Sequence, residues 1–336
     1  MHDVLQKTIL GQRLSESEAY TAMRNIMAGE AISSQITEFL VALRRRGETV
    51  EEITGFARAM REVAIKVHTK SYPLVDICGT GGDGLHTFNI STAAAFIAAG
   101  AGVKVAKHGN RAASSQCGSA DVLEELGVNI NLSPEHVARC IDEIGIGFLF
   151  ARSFHPVMQY VASVRSELGV RTVFNILGPL MNPAGATRQV TGVFDQYLIK
   201  PIACVLNNLG VEHAFVVHGA GGLDEISTLG ETKIVEVHRG AFRYYAITPE
   251  EIGCRRATMN DLRGGTCEQN ASIMHECLSI VSSPRKEIAM LNAAAAIVVA
   301  GLAKSIAGGF ELAQQSCYTG AAQEKLEALI NFSHRT

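Results

Sequence analysis

The 336-residue chain has no Cys-x-x-Cys pair, no excess of basic residues and no apolar run long enough to cross a bilayer. Its eight cysteines (Cys78, Cys117, Cys140, Cys204, Cys254, Cys267, Cys277 and Cys317) are scattered, which argues for buried reduced thiols in a cytosolic protein rather than a zinc or disulfide framework. Lys and Arg number 30 against 33 Asp and Glu, a net charge of −3, so the composition disfavours a nucleic-acid or anionic-membrane binder and any phosphate site has to be local. The longest apolar runs, 93–103 and 293–303, stop at Lys104 and Lys304, short of the ~30 Å of hydrocarbon a span needs. The amino terminus, Met-His-Asp-Val-Leu-Gln-Lys, has neither a basic nor an apolar signal region, so a cytoplasmic location is expected. What is present is a globular composition: 47% hydrophobic residues and mean hydropathy +0.15 support a large core and exclude disorder. The length suggests two domains.

The first 68 or so residues read as helices only. Ser15 with Glu18, and Thr49 with Glu52, fit capping boxes. Ile36, Phe39, Leu40 and Leu43, then Ile53, Phe56, Ala57 and Met60, recur at helical spacing. Gly47 ends the first of these helices, and the preceding Arg44-Arg45-Arg46 complements its dipole. The two apolar stripes exceed what four short helices need internally, which predicts a homodimer through this part. After Tyr72 the pattern becomes α/β: strands at 74–78, 103–106, 147–150, 189–193, 214–217 and 233–237, helices near 92–99, 134–143, 156–168, 197–209 and 286–306.

Gly79, Gly81 and Gly84 form Gly-x-Gly-x-x-Gly after a strand, but a dinucleotide fold needs an acid about 20 residues on, and 85–120 contains no Asp or Glu. An average stretch of that length would hold about three or four. Gly84 is followed by Leu85, which rules out a Walker loop. The segment carries Lys104, Lys107 and Arg111 instead and suits an anion. Asn89-Ile90-Ser91-Thr92 opens an alanine-rich helix, where short polar side chains and free amides form an anion site as readily as an ordinary N-cap. The basic loop Lys107-His108-Gly109-Asn110-Arg111 with Ser114-Ser115 follows the next strand, so all three features lie at strand carboxyl ends and converge on one polyphosphate.

Together with Thr87-Phe88, Gly118-Ser119-Ala120-Asp121, Arg165, Arg171-Thr172-Val173-Phe174-Asn175, Gly178-Pro179-Leu180-Met181-Asn182-Pro183 and Gly222-Leu223-Asp224-Glu225-Ile226-Ser227, these motifs resemble the anthranilate phosphoribosyltransferase family in order and spacing over essentially the whole chain. Pyrimidine nucleoside phosphorylases, which share a similar Lys-His-Gly loop, are the alternative, and a catalytically silent nucleic-acid-binding relative is a third reading.

The resemblance implies a small all-helical amino-terminal domain, residues 1–70 with returning helices near 156–180, joined to a large α/β domain, 71–336, whose central mostly parallel sheet is flanked by helices. It implies transfer of phosphoribose from phosphoribosyl pyrophosphate (PRPP) to anthranilate with Mg²⁺, a step of tryptophan biosynthesis, in a homodimer; it leaves open a glutamine amidotransferase partner. By resemblance, PRPP is held by Gly79, Gly82, Asp83, Thr87, Asn89, Ile90, Ser91, Thr92 and the loop Lys107, His108, Gly109, Asn110, Arg111, Ala112, Ala113, Ser114, Ser115 with Ser119. Anthranilate is contacted by Gly79, Asn110 and Arg165, the metal by Ser91, Asp224 and Glu225, and Lys107 and Arg165 carry the catalytic roles. Each has a physical counterpart: Mg²⁺ takes one or two carboxylates plus substrate phosphates, and an arginine fork clamps a carboxylate bidentately. Arg152 and Val157 depart from the family pattern near the implied acceptor channel.

Overall fold

The two capping boxes form as the sequence predicts, at Ser15 and Thr49, and start the second and fourth of four helices: α1 (His2–Ile9), α2 (Glu16–Met27), α3 (Ser33–Arg46) and α4 (Val50–Val63). They belong to a computed structural model that describes residues 1–112 and 115–335. Phe39 and Phe56 meet edge to face at 6.0 Å inside the bundle. Ile36, Phe39, Leu40, Leu43, Ile53, Phe56 and Met60 are all at most 2% exposed. This corrects the inference drawn from those stripes: they are consumed by the bundle's own core and leave no surplus for a partner. The exposed apolar side chains of the bundle are others, among them Ile9, Leu10 and Val41.

The rest of the chain builds one seven-stranded sheet in the order β3-β2-β1-β4-β5-β6-β7. The strands are β1 (Val75–Gly79), β2 (Val105–Gly109), β3 (Ile146–Phe150), β4 (Arg188–Gly192), β5 (His213–Gly219), β6 (Thr232–His238) and β7 (Ala241–Ile247). The first five pair in parallel, while β5 with β6 and β6 with β7 pair antiparallel, so the expected mostly parallel sheet between helices is what forms. Alternation along β5 divides the core: Phe215 and Val217 face the α5 (Ile90–Gly100) side, Ala214 and Val216 face the helical bundle. The first side is closed by helices Cys267–Leu278, Pro284–Val299, Ile306–Tyr318 and Ala321–Ser333. On the other, helix Ile199–Asn208 packs with α4, and Gln159–Leu168 packs on α3.

Strand β7 escaped the sequence reading because its hairpin turn is Arg239-Gly240, both at positive φ, without the Asn or Asp that normally marks it. The 286–306 helix stops at Val299, where Gly301 takes φ +82.

Candidate active site

The order reversal falls between β1 and β4, and there the two strands end on a glycine pair, Gly79 opposite Gly192. A side chain on either would collide with Asp224: a Cβ on Gly79 would lie 2.2 Å from its Oδ2, and one on Gly192 1.5 Å from its carbonyl oxygen. Glycine at both strand ends therefore lets the acidic loop settle directly over the crevice where open α/β sheets take ligands. The Gly81 amide donates to Asp224 Oδ2 at 2.7 Å, joining the glycine loop to that acid. Asn292, fully buried on the Pro284–Val299 helix, accepts from Ile226 N and donates to Ile226 O at 2.8 and 2.9 Å, which fixes the main chain next to Glu225. A lone asparagine in an apolar helix was the available signal for it.

Four charged side chains meet here. Burial and then Asp83 push the Asp224 carboxyl up to about 6. Burial and then Asp224 push Glu225 well above the usual carboxylate range, while Lys107 and the Ser91 amide oppose this. Lys107 is itself buried, at 4% exposure. Three carboxylates crowded around one ammonium call for a further cation, and an all-oxygen donor set facing a cleft fits Mg²⁺.

Beneath them sits Asp76, a buried acid in an otherwise apolar strand that the sequence reading passed over. Strands β1 and β2 are in register only at Val75 and Val105, because the His108 amide turns to Asp76 Oδ1 at 3.1 Å. Asn182 Nδ2 donates to Asp76 Oδ2 at 2.7 Å and to Ala106 O at 2.8 Å, wedging the strands apart below Lys107. A single Asp amid Leu, Val, Ile and Cys was the visible signal.

The other expected residues are distributed unevenly. Gly82 and Asp83 lie in the glycine loop and Thr87 bridges to Arg263. Asn89 precedes α5 but does not cap it: its side chain donates to Cys117 O and accepts from Asn270. The amides at this helix start are engaged rather than free, since Ile90, Thr92 and Ala93 donate to main-chain oxygens and Ser91 faces Glu225. Ile90 and Thr92 are buried, and Thr92 Oγ1 has no hydrogen-bond partner among the described residues. Gly109 ends β2 against Ser119, whose hydroxyl donates to the carbonyl oxygen of the next residue, Asn110, at 3.2 Å. Arg111 is held by Asp121 at 2.8 Å and by Glu124, and Ala112 N donates to Asp121, so this arginine's charge is already matched. Ser115 is exposed; Ala113 and Ser114 lie outside the described residues.

Arg165, on helix Gln159–Leu168, rests over the Phe174 ring at 5.5 Å with no carboxylate partner among the described residues. Arg171 stacks on Phe194 at 4.1 Å, with its Nε 3.3 Å from where a Gly82 Cβ would be, and so borders the glycine loop from the bundle side. His108 pairs with His155 at 5.4 Å between ring centroids. Burial, then His155 and Lys107, lower His108 to about 3; burial lowers His155 to about 4, so both rings are neutral at pH 7. All eight cysteines are free; six are buried, and Cys204 and Cys267 are partly exposed. Among the described residues no helix is long and apolar enough to cross a membrane.

Comparison with known proteins identifies the family. Residues 71–323 match the glycosyl transferase family, a/b domain, and residues 2–64 the glycosyl transferase family, helical bundle domain. The anthranilate phosphoribosyltransferase of Symbiobacterium thermophilum is 52% identical over 100% of this chain and 98% of its own; that of Moorella thermoacetica is 53% identical over 97% and 96%. Among solved structures, anthranilate phosphoribosyltransferase from Thermus thermophilus superposes with a TM-score of 0.94 at 49% identity, covering 99% of this chain and 100% of that one. The Saccharomyces cerevisiae enzyme in complex with PRPP and Mg gives 0.90 at 27% identity, covering 98% and 97%.

Proposed function

The chain belongs to the anthranilate phosphoribosyltransferase family and is an enzyme of that activity, joining anthranilate to ribose C1 of PRPP with release of pyrophosphate in tryptophan biosynthesis; from that premise we propose how its residues divide the work. The observation that carries the assignment is the meeting of Asp224, Glu225, Asp83 and Lys107 at the switch point between β1 and β4. Attack of the anthranilate amine on C1 builds positive charge on the sugar and negative charge on the departing pyrophosphate. Positioning and electrostatics should therefore dominate.

Gly79, Gly82, Asp83, Thr87, Asn89, Ser91, Thr92, Lys107 and Ser119 bind PRPP. Lys107, buried and fixed above the Asp76–Asn182 wedge, offsets charge on the leaving group; its burial strengthens that effect. Asp224, Glu225 and Ser91 would hold Mg²⁺, which when bound supplies charge neutralisation at the pyrophosphate. The PRPP and Mg complex of the yeast relative supports this reading. Arg165, without a carboxylate of its own, holds the anthranilate carboxylate with its planar fork, and Asn110 assists. The 4-fluoroanthranilate complex of the yeast protein, TM-score 0.89 at 27% identity over 99% of this chain and 98% of that one, supports an anthranilate-shaped acceptor. An aromatic amine is already neutral at pH 7 and attacks without prior deprotonation; the proton it sheds as the C1–N bond forms is acidic enough to pass to water or the departing pyrophosphate, so no general base is assigned.

Two organisational proposals accompany the mechanism. Residues 1–70 with the returning segment 156–180 form the helical domain, and 71–336 the PRPP-binding domain. The protein is a cytoplasmic homodimer, a reading supported now by exposed Ile9, Leu10 and Val41 on the bundle rather than by its internal stripes. The activity is tested by mixing protein, PRPP, Mg²⁺ and anthranilate and following loss of anthranilate fluorescence with pyrophosphate release. Phosphorolysis of thymidine or uridine with free phosphate, in place of both signals, would overturn it in favour of a nucleoside phosphorylase.

A further inference from the structure

At the opposite end of β5 from the active site, the antiparallel pairing of β5 with β6 sets His213 directly across from His238. Glu236, two residues before His238, projects from the same face of the sheet. One ligand atom from each of the three lies within 4.8 Å of the others. His213 Nε2 is 2.9 Å from Glu236 Oε1, and the two imidazoles stack at 4.4 Å with 17° between their planes. We propose that His213, Glu236 and His238 form a second metal site, for a borderline divalent ion such as Zn²⁺, separate from the acidic Mg²⁺ site.

The donor set argues for the ion's class. Two imidazoles and one carboxylate with an open fourth position suit tetrahedral Zn²⁺, whereas Mg²⁺ prefers oxygen alone. Bonds of about 2.0–2.1 Å place ligand atoms about 3.4 Å apart around a tetrahedral ion, so the 2.9 Å separation of His213 Nε2 from Glu236 Oε1 has to widen slightly and any wider pair of the trio, all of which lie within 4.8 Å, has to close. The parts that must move are the free ones. The side chains of His213 and Glu236 are only 11% and 12% exposed and are joined by their hydrogen bond, while that of His238, at the end of β6, is exposed and can rotate.

Two cations face the cluster. Arg243, across from Glu236 on β7, lies 3.6 Å from Glu236 Oε2; it is 77% exposed and can turn to solvent. Arg188 on β4 is bound to Val299 O at 2.9 Å and lies 3.9 Å from Glu212. Six residue steps along β5 lead from His213 to Gly219, whose neighbourhood holds Glu225; the two sites are thus about 20 Å apart at 3.3 Å per residue. A metal here would pin the β6–β7 hairpin to the parallel part of the sheet.

The test uses the full chain, stripped with chelator and kept in excess Mg²⁺ so that the acidic site is occupied. Zn²⁺ titration by calorimetry should show one equivalent bound, and Co²⁺ substitution should give the intense visible absorption of a four-coordinate site. His238→Ala and Glu236→Gln, the first exposed and the second retaining the hydrogen bond to His213, should each weaken Zn²⁺ binding by at least about tenfold. Phosphoribosyl transfer with Mg²⁺ should stay at the parent's rate in both, so loss of this site is distinguishable from loss of the active site. Absence of binding to the folded parent, or equal binding by parent and both variants, would show the trio to be only an ion-paired histidine cluster.

Discussion

Neutralising the acidic pair, as Asp224→Asn with Glu225→Gln, separates a metal site from a structural turn. The replacements keep size, and Asn can still accept from the Gly81 amide that now donates to Asp224 at 2.7 Å. In the protein without its metal the pair is destabilising, because Asp224 stands raised from 3.8 to about 6 by burial and by Asp83. That difference of about 2 pK corresponds to about 3 kcal/mol at full effect, and solvent on the open side of the cleft reduces it to roughly 1–2 kcal/mol. Removing the charges should therefore raise Tm by about 3 °C in a chain of this size, by differential scanning calorimetry without Mg²⁺. With PRPP and Mg²⁺ present the order should invert, since only the parent gains stabilisation from the loaded ligand. Fluorescence assay should find turnover lost at ordinary Mg²⁺. Near-parental turnover would refute the reasoning, and a lower Tm with unchanged Mg²⁺ dependence would assign the pair to the fold.

Arg165→Ala should lower kcat/KM for anthranilate by about 10- to 150-fold, the loss of one charge-assisted bidentate contact, and leave PRPP affinity unchanged; equal loss for both substrates in steady-state kinetics would make Arg165 structural. His108 and His155, held near about 3 and about 4 against 6.5 in the unfolded chain, bind fewer protons folded than unfolded as pH falls below 6.5. Stability should thus drop on acidification, by about 2 kcal/mol from each ring at pH 5. Urea titrations should show a shallower pH slope in His155→Gln than in the parent, and identical slopes would contradict the assignment. Phe39→Ala, which empties the centre of the bundle, should cost about 3–5 kcal/mol in the same titrations. Sedimentation should give roughly twice the chain mass of 35.9 kDa, and a monomer at micromolar concentration would reject the dimer.

Much of the fold was legible because its signals are local. Ser15 and Thr49 cap their helices within three residues, and each buried strand of the parallel sheet is a short apolar run bounded by glycine or charge. The features that were misread depend on distant partners. The bundle's apolar stripes looked unpartnered because four short helices seemed too little to bury them, yet α2 and α4 pack extensively and segment 161–181 adds to the same core. Arg111, read as a phosphate ligand, also pairs with Asp121 and Glu124, ten and thirteen residues on, a setting its own loop does not show. The α5 amides looked free, and the group that faces Ser91 lies more than a hundred residues away at Glu225.

The same distinction explains why the acidic pair could be named from sequence but its setting could not. Asp224-Glu225 in a glycine-bearing loop is a local pattern that allows a metal or a solvated turn equally. What favours the metal is register: Gly79 opposite Gly192 leaves no Cβ between the strands and the loop, so the carboxylates descend onto the sheet instead of standing in solvent. The Asp76–Asn182 wedge does the complementary work on the other side of β1. Parting β2 from β1 after Val105 costs ladder hydrogen bonds that Asp76 and Asn182 replace, and it leaves Lys107 buried yet facing Glu225. Cation and anions are thereby held close without neutralising one another completely, since one ammonium cannot balance three carboxylates. The imbalance leaves the crowded carboxylates electrostatically strained, and it follows from which strands neighbour β1, a fact no local window of sequence contains.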